Sequence, residues 1–569
     1  MHRSELVGAP MQIVYRGADL TGLNNTRQVV QLLQLDFYQD VRQIEHKEAL
    51  YSKLESIIEN SDTGSISVIL CSPAFAVDFS SSIKENIYLK LWVAIKLKDP
   101  IPRDGNLTMH HASLLVFTKS NSQLVHTKTR IGYAYCESCD KTVKDYGGKK
   151  HLYNSFGTLM SDVWRDITYD QSNEPTEILE RVRDLFSTGK FSSLDYFDLR
   201  RNDVMSLPKY ESTVTRSKRI KQLPVKSQLL LGDSIDQLKK LPDNSIDFAF
   251  SDPPYNLKKK YESWNDGLDI QQYFSWCDEW IAELARVVKP GHAVAILNIP
   301  QWCVRHFKSA KNILQFQDWI AWEGLSLPVR MIMPAHYGIL VLSKGSPREL
   351  PGLKRTLNES ESKNLYSIGD NFCVRPACSK NRKKEKINDS QFVTNLWWDV
   401  HRLKHNSKRV DHPCQLPPLF MYRLISLFTN EGEVVLDNFD GSGTTSLCAH
   451  QMNRNYIGIE LSEYYYGISA QRHLDIENGI DPFRKNNDEV KAKNSYVARL
   501  KKQKYEVPKK VLQMDVKRIS EILGHIPSKE EVQLHSTYPI EYFTNYFINW
   551  AEVTAAARTT GMTEDKVIL

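Results

Sequence analysis

Between residues 226 and 480 short β-branched or aliphatic runs alternate with amphipathic stretches. IDFAFSDPP is followed by the helix-like YFSWCDEWIAELARVV, then HAVAILNIP, and later EVVLDNF and NYIGIEL. This alternation predicts an α/β fold built on a mainly parallel sheet. The 569 residues exceed what one core accommodates, since cores rarely grow past roughly 250–300 residues, so two or three domains are expected. Basic, polar stretches near residues 215–228 and 484–510 set the expected boundaries. They delimit residues 1–214, a central domain over 226–480 and a small helical domain over 511–569.

An apolar share of 41% and a charged share of 25% argue against a disordered or fibrous chain. The net charge of +6 is too small at this length to imply a polyanionic partner by itself. The start, MHRSELVGAPMQIVYRG, lacks the apolar core of a secretory signal, and no run of about 18 apolar residues occurs. A cytoplasmic chain without a membrane span is expected. Its nine cysteines should then be reduced, and clustered ones read as metal ligands or packing residues.

The strand IDFAF runs directly into SDPPYN, with Asp252, Pro253, Pro254, Tyr255 and Asn256. An exocyclic amine on a nucleobase is a poor nucleophile because its lone pair is delocalised into the ring. A carboxylate at a strand end can accept one amino hydrogen, and a rigid Pro-Pro backbone can aim a carbonyl at the other. Tyr255 offers a ring on which an extruded base can stack. A second strand ends at Asp437 and Phe439 and enters Gly441, Ser442, Gly443, Thr444 and Thr445, where glycines allow close approach of a ligand. Glu460 follows at the end of NYIGIEL, at about the spacing of an acidic residue that receives ribose hydroxyls. No P-loop Lys follows Gly443, which favours an adenosine-type ligand over a phosphate cradle.

Together, DPPY and DNFDGSGTT resemble the amino-methyltransferase family of DNA modification enzymes, in the motif order of its β group, over about Leu229 to His473. The resemblance implies a Rossmann-like fold, S-adenosylmethionine as cofactor and methyl transfer to adenine N6 in double-stranded DNA, with cytosine N4 as the alternative. It implies catalytic roles for Asp252, Pro253, Pro254 and Tyr255. Cofactor contacts are implied for Asp233, Asp437, Phe439, Gly441, Ser442, Gly443, Thr444 and Glu460. HPCQLPP is similar to the family's HPxQKP segment, with Leu416 where Lys is usual, and Asn438 and Asp440 replace the usual Pro and Ala. Pro413, Cys414 and Gln415 also spell the nucleophile motif of cytosine-C5 enzymes, but they precede the glycine loop and no Gly-Pro-Pro leads into them, so Cys414 is not read as a nucleophile. A restriction-modification setting with a cognate endonuclease is implied. The rival of another class is a catalytically silent DNA-binding specificity subunit, against which the intact Asp252, Tyr255, Gly441 and Gly443 argue.

The first 200 residues repeat features of the middle block in order, which reads as a degenerate methyltransferase-like copy. His111–Ser120 answers His336–Gly345, and Ser161–Ile167 answers Thr394–Val400. The tetrapeptide Ser72–Phe75 is expected in the place of DPPY. No glycine loop follows the first-half motif, so no cofactor is expected there. Cys136 and Cys139, spaced C-x2-C, and Cys373 and Cys378, spaced C-x4-C, could meet if the halves pair, and would then suit one structural zinc. The alternative is four reduced thiols at loop ends.

DNA contact is expected from a target-recognition segment over about 346–411, which includes KNRKKEK and WWDVHRLKHNSKR, and from Lys258, Lys259 and Lys260. Trp397 and Trp398 fit a core position equally well. Ile519–Met562 resembles the helical repeat associated with homing endonucleases, a DNA-binding module, with Ser528 and Glu531 spaced as a capping box.

Overall fold

The strand that carries DPPY lies in the middle of an eight-stranded sheet in the computed structural model of the chain. The structure describes residues 11–17, 28–38, 40–121, 124–142, 154, 157–188, 190–191, 193–200, 226–257, 266–324, 332, 334–353, 359–401, 415–483, 507–547 and 550–557. Lys258–Lys260, Cys414 and most of the basic stretch after Val400 lie outside them.

A seven-stranded sheet comes first in the chain, from β1 (Gln12–Tyr15), β2 (Val30–Gln34), β3 (Ile66–Cys71), β4 (Tyr88–Ile101), β5 (Met109–Thr118), β6 (Val163–Tyr169) and β7 (Ser193–Asp198). Its spatial order is β1-β7-β2-β3-β5-β4-β6. The eight-stranded sheet comprises β8 (Gln228–Leu231), β9 (Ile246–Ser251), β10 (Val288–Asn298), β11 (Gln315–Glu323), β12 (His336–Ser343), β13 (Leu396–Trp397), β14 (Val434–Asp437) and β15 (Asn455–Glu460). Its order is β8-β15-β14-β9-β10-β12-β11-β13. In each sheet a parallel block meets one antiparallel strand, β5 or β12, and a final parallel pair closes the edge. Apart from β15, which stands between β8 and β14 and has no counterpart in the first sheet, the two halves share one strand order, as expected of a repeat, and both are Rossmann-like in their parallel part.

Helices fill the crossovers: α1 (Lys47–Asn60), α2 (Pro73–Ser82) and α3 (Thr176–Phe186) in the first half. The second has α4 (Ser234–Leu238), α5 (Ile270–Val287), α6 (Pro300–Ala310), α7 (Pro376–Lys384), α8 (Pro418–Phe428) and α9 (Thr444–Gln451), and α10 (Glu463–Glu477) follows its last strand. β9 is buried at every position, as a central parallel strand covered on both faces must be. On α5 the buried Tyr273, Cys277, Trp280, Ile281 and Leu284 recur at helical spacing and seal one of those faces.

The halves form one compact unit, and equivalent residues meet across their junction. Trp92 of β4 and Trp319 of β11 stack with ring centres 4.1 Å apart and planes 8° from parallel. His111 Nε2 lies 3.1 Å from the Trp319 carbonyl oxygen, and His336 Nδ1 lies 3.3 Å from that of Trp92. Asp162 accepts from the amide of His336, and Asn395, its counterpart in the repeat, accepts from that of His110, each at 2.8 Å. Burial depresses both buried histidines, His111 to about 4 and His336 to about 3, so each is held neutral.

One expected correspondence is corrected by the register. Cys71 faces Ser113 as Asn298 faces Gly338, so β3 matches β10 and Ser72–Phe75, which opens α2, matches Ile299–Trp302 at the start of α6. The place of Asp252 belongs to Gln34 at the end of β2, and the place of Asp437 to Tyr196 on β7. Those two buried side chains bond to each other, and the Gln34 amide also donates to the Tyr169 hydroxyl at 2.7 Å.

The C-terminal residues form a separate helical unit of α11 (Lys509–Leu523), α12 (Lys529–His535), α13 (Ile540–Asn545) and α14 (Trp550–Val553) around Leu512, Val516, Ile519, Val532 and Phe543. Ser528 caps α12 with the reciprocal Glu531 bonds expected of a capping box. Among the described residues no helix is long and apolar enough to cross a membrane.

Candidate active site

β9 and β14 are neighbours in parallel, so the turns that leave their ends, DPPY and DNFDGSGTT, open side by side. Between them lies a cavity of about 1220 Å³, its open mouth included. Asp252, Pro253, Pro254 and Tyr255 line one side, and Asp437, Phe439, Gly441, Ser442, Thr444 and Glu460 the other, with Asp233 at the head of α4. Eleven of the twelve residues singled out around these motifs thus line one cavity. Gly443 does not.

The DPPY turn is fixed by bonds to its backbone. The Tyr273 hydroxyl donates to the Pro254 carbonyl at 2.8 Å and Trp302 Nε1 to the Tyr255 carbonyl at 2.9 Å. Asn256 adopts a left-handed φ of 54° and exchanges side-chain bonds with the Leu268 backbone at 2.8 and 3.0 Å. The buried Asp266 accepts from the amides of Asn256 and Leu257 at 2.7 and 3.0 Å. Asp266 was not singled out from sequence, because it has no motif and only the fold brings it under the turn. The Tyr255 hydroxyl donates to Asp252 Oδ1 at 2.9 Å and so orients the carboxylate.

Across the cavity, Glu460 binds the loop as well as the rim. Its carboxylate accepts from the Gly441 amide at 2.8 Å and the Ser462 amide at 2.7 Å. Gly441 takes a φ of 55°, open to glycine without strain. Asp233 caps α4, accepting from the Ile235 amide at 2.9 Å. Asp437 accepts from Thr445 Oγ1 at 2.5 Å and from the Phe439 amide at 2.8 Å, and burial followed by the neighbouring Asp440 carboxyl pushes its carboxyl well up. Phe439 packs edge-on against Trp280 and, tilted, against Trp276, and Trp276 itself lines the cavity together with Trp322 and Tyr337. These aromatic walls come from α5 and the antiparallel strands, away from either motif. Gln415 and Leu416 of the HPCQLP segment line it too.

The reason for Gly443 differs from the expected one. A Cβ at this position would stand 2.3 Å from Ser469 Oγ, on α10, and not in ligand space. Its φ of 88° further restricts the position to glycine.

The departure at Asp440 also finds its reason. This buried side chain tucks beneath the loop, accepting from Ser446 Oγ at 2.7 Å and Ser469 Oγ at 3.4 Å, in space that Gly458 leaves open. Burial raises its carboxyl to about 7 despite those bonds. An acid raised in the folded state prefers its proton there, so its stabilising contribution is complete below the unfolded value of about 4 and is lost as pH rises through about 7. Asp440→Asn is therefore expected to flatten the fall of the thermal midpoint between about pH 5 and 7.5, which scanning calorimetry of both proteins measures. Equal slopes would mean that Asp440 does not titrate there.

Of the residues expected at DNA, Trp397 and Trp398 are buried core, and Arg382 of KNRKKEK is fully buried.

The DNA methylase family model matches residues 246–471 of the chain, from β9 through α10. The type II methyltransferase M.BamHI of Bacillus amyloliquefaciens is 32% identical over 41% of this chain and 54% of its own length. M.HpaI of Haemophilus parainfluenzae is 31% identical over 45% of the chain and 76% of its length. The DNA adenine methyltransferase YhdJ of Escherichia coli is 29% identical over 44% and 82%. With its two motifs gathered at one cavity and relatives of this identity and coverage, the chain belongs to the N6/N4 DNA amino-methyltransferase family.

Proposed function

We propose that this chain methylates the N6 amine of adenine in double-stranded DNA, drawing the methyl group from S-adenosylmethionine. The observation that carries the reading is the single cavity with Asp252 and Tyr255 on one wall and Gly441 and Glu460 on the other. The cavity suits the cofactor: Asn438 Oδ1 is buried on its lining with no protein hydrogen-bond partner, an acceptor left for a ligand's donor. Glu460, Gly441, Ser442, Phe439, Asp437, Thr444 and Asp233 would hold it. When bound, the cofactor supplies an electrophilic methyl on a sulfonium, which departs as a neutral thioether.

Asp252 accepts a hydrogen from the target amine, concentrating the lone pair on nitrogen as the N–C bond forms, and takes up or passes to water the proton released. The Tyr255 hydroxyl holds that carboxylate in place. The Pro253 carbonyl is assigned the second amine hydrogen, since the Pro254 carbonyl already accepts from Tyr273. No covalent bond to the protein is needed. A base must leave the duplex to reach this depth, and the aromatic lining of Tyr255, Trp276 and Tyr337 suits a flipped ring. Asp at the head of the motif, together with the name of the relative YhdJ, favours adenine over cytosine. A restriction-modification setting and a cognate endonuclease are part of this reading, and the C-terminal helical unit is assigned to duplex contact.

Sequencing DNA from cells that express the chain, with detection of modified bases, tests the target. N6-methyladenine confined to one short motif is the expected result, and N4-methylcytosine in its place would overturn the choice of base.

A further inference from the structure

The four cysteines of the two halves converge. Cys136 Sγ lies 3.8 Å from Cys378 Sγ and Cys139 Sγ 4.0 Å from Cys373 Sγ, and all four sulfurs lie within 4.8 Å of one another. Four thiolates around a tetrahedral zinc at about 2.3 Å sit roughly 3.8 Å apart, whereas a disulfide needs about 2.05 Å. We propose that Cys136, Cys139, Cys373 and Cys378 bind one structural zinc ion that staples the first half of the chain to the recognition segment of the second.

The surroundings hold the sulfurs in place. The Cys373 amide donates to Cys136 Sγ at 3.3 Å, and the fully buried Arg382 donates from Nη1 to Cys378 Sγ at 3.0 Å. The same guanidinium holds the Cys373 carbonyl through Nη2 at 3.1 Å and ion-pairs with Asp389 at 2.5 Å. Hydrogen bonds to the outer side of ligand sulfurs fix their direction and disperse the negative charge that four thiolates leave on a divalent ion. Cys136 and Cys139 sit on the short hairpin of Tyr135–Cys136 and Lys141–Thr142, whose turn includes Asp140 at a left-handed φ of 50°. Cys378 sits in the first turn of α7, and one backbone bond, Glu137 amide to Asn371 carbonyl at 3.2 Å, already crosses between the two pieces.

Very little apolar packing surrounds the cluster. Its buried members are Cys136, Cys373 and Cys378 alone, with Cys139 partly buried. A site this small holds its shape through the metal, whose binding is coupled to folding of the segments that carry its ligands. The zinc assignment stands independently of the function proposed above; only the name recognition segment rests on it.

The test uses the full chain purified without chelators. Elemental analysis is expected to find one zinc per chain, and exchange for cobalt(II) to give the thiolate-to-metal absorption of a tetrahedral site. Cys136→Ala and Cys378→Ala are each expected to lose the metal. If these variants fail to fold, alkylation of the parent protein decides: the four thiols are expected to react only after a strong chelator is added. Absence of zinc together with no cobalt spectrum would overturn the proposal, as would recovery of a Cys136–Cys378 disulfide or prompt alkylation of all four thiols without chelator.

Discussion

Asp252→Ala is expected to lower the single-turnover rate of methyl transfer by about 10²–10⁴-fold while S-adenosylmethionine binding changes by less than about tenfold, the loss typical of a removed acid-base group. The carboxylate stands on the DPPY side of the cavity and bonds to the Tyr255 hydroxyl, away from the Glu460 loop that is assigned to the cofactor. Asp252→Asn keeps the shape and the Tyr255 bond but loses the charge that draws the amine hydrogen, so it should fall nearly as far. Tyr255→Phe, which removes only the bond that orients Asp252, should cost less than either. Rapid-quench kinetics with labelled cofactor and calorimetric titration separate the two effects. A fall in cofactor affinity as large as the fall in rate would move Asp252 to the binding machinery.

Gly443→Ala is the second large effect, for a reason internal to the fold. Left-handed backbone costs a non-glycine residue about 1–2 kcal/mol, and its Cβ would in addition overlap Ser469 Oγ. The loop must shift, so cofactor affinity is expected to drop by at least about tenfold, equivalent to about 1.4 kcal/mol. Ser469→Gly removes the obstructing side chain. Against the Ser469→Gly background the same substitution should cost distinctly less, leaving the backbone strain alone. A double-mutant cycle on cofactor binding reads this coupling directly. Additivity of the two changes would show that Ser469 is not what Gly443 avoids.

The parts of this site that were legible in the sequence are those carried by local chemistry. Pro-Pro after a buried strand and Gly-x-Gly after another each announce a strand-to-loop turn, and parallel neighbours must open such turns at the same end. The cysteine pairs were legible for a similar reason, since a repeat with one pair in each half brings them together once the halves face each other. What stayed hidden depends on contacts distant in sequence. Nothing near Gly443 announces Ser469, 26 positions on, and nothing near DPPY announces Asp266 or the aromatic walls from Trp276 and Tyr337. The match of Ser72–Phe75 to DPPY failed because it followed letters across a repeat whose strands are set by pairing. The register shows Gln34 and Tyr196 in the places of Asp252 and Asp437, where the two side chains bond to each other.

Locating the cofactor product, S-adenosylhomocysteine, in crystals of the full chain tests the proposed site most directly. The ligand is expected between Glu460 and Asp252, with its ribose at the Glu460 carboxylate and its sulfur toward the DPPY turn. Density for the ligand at any other place, or a cavity that stays empty at concentrations saturating in solution, would contradict the assignment of this cavity to methyl transfer.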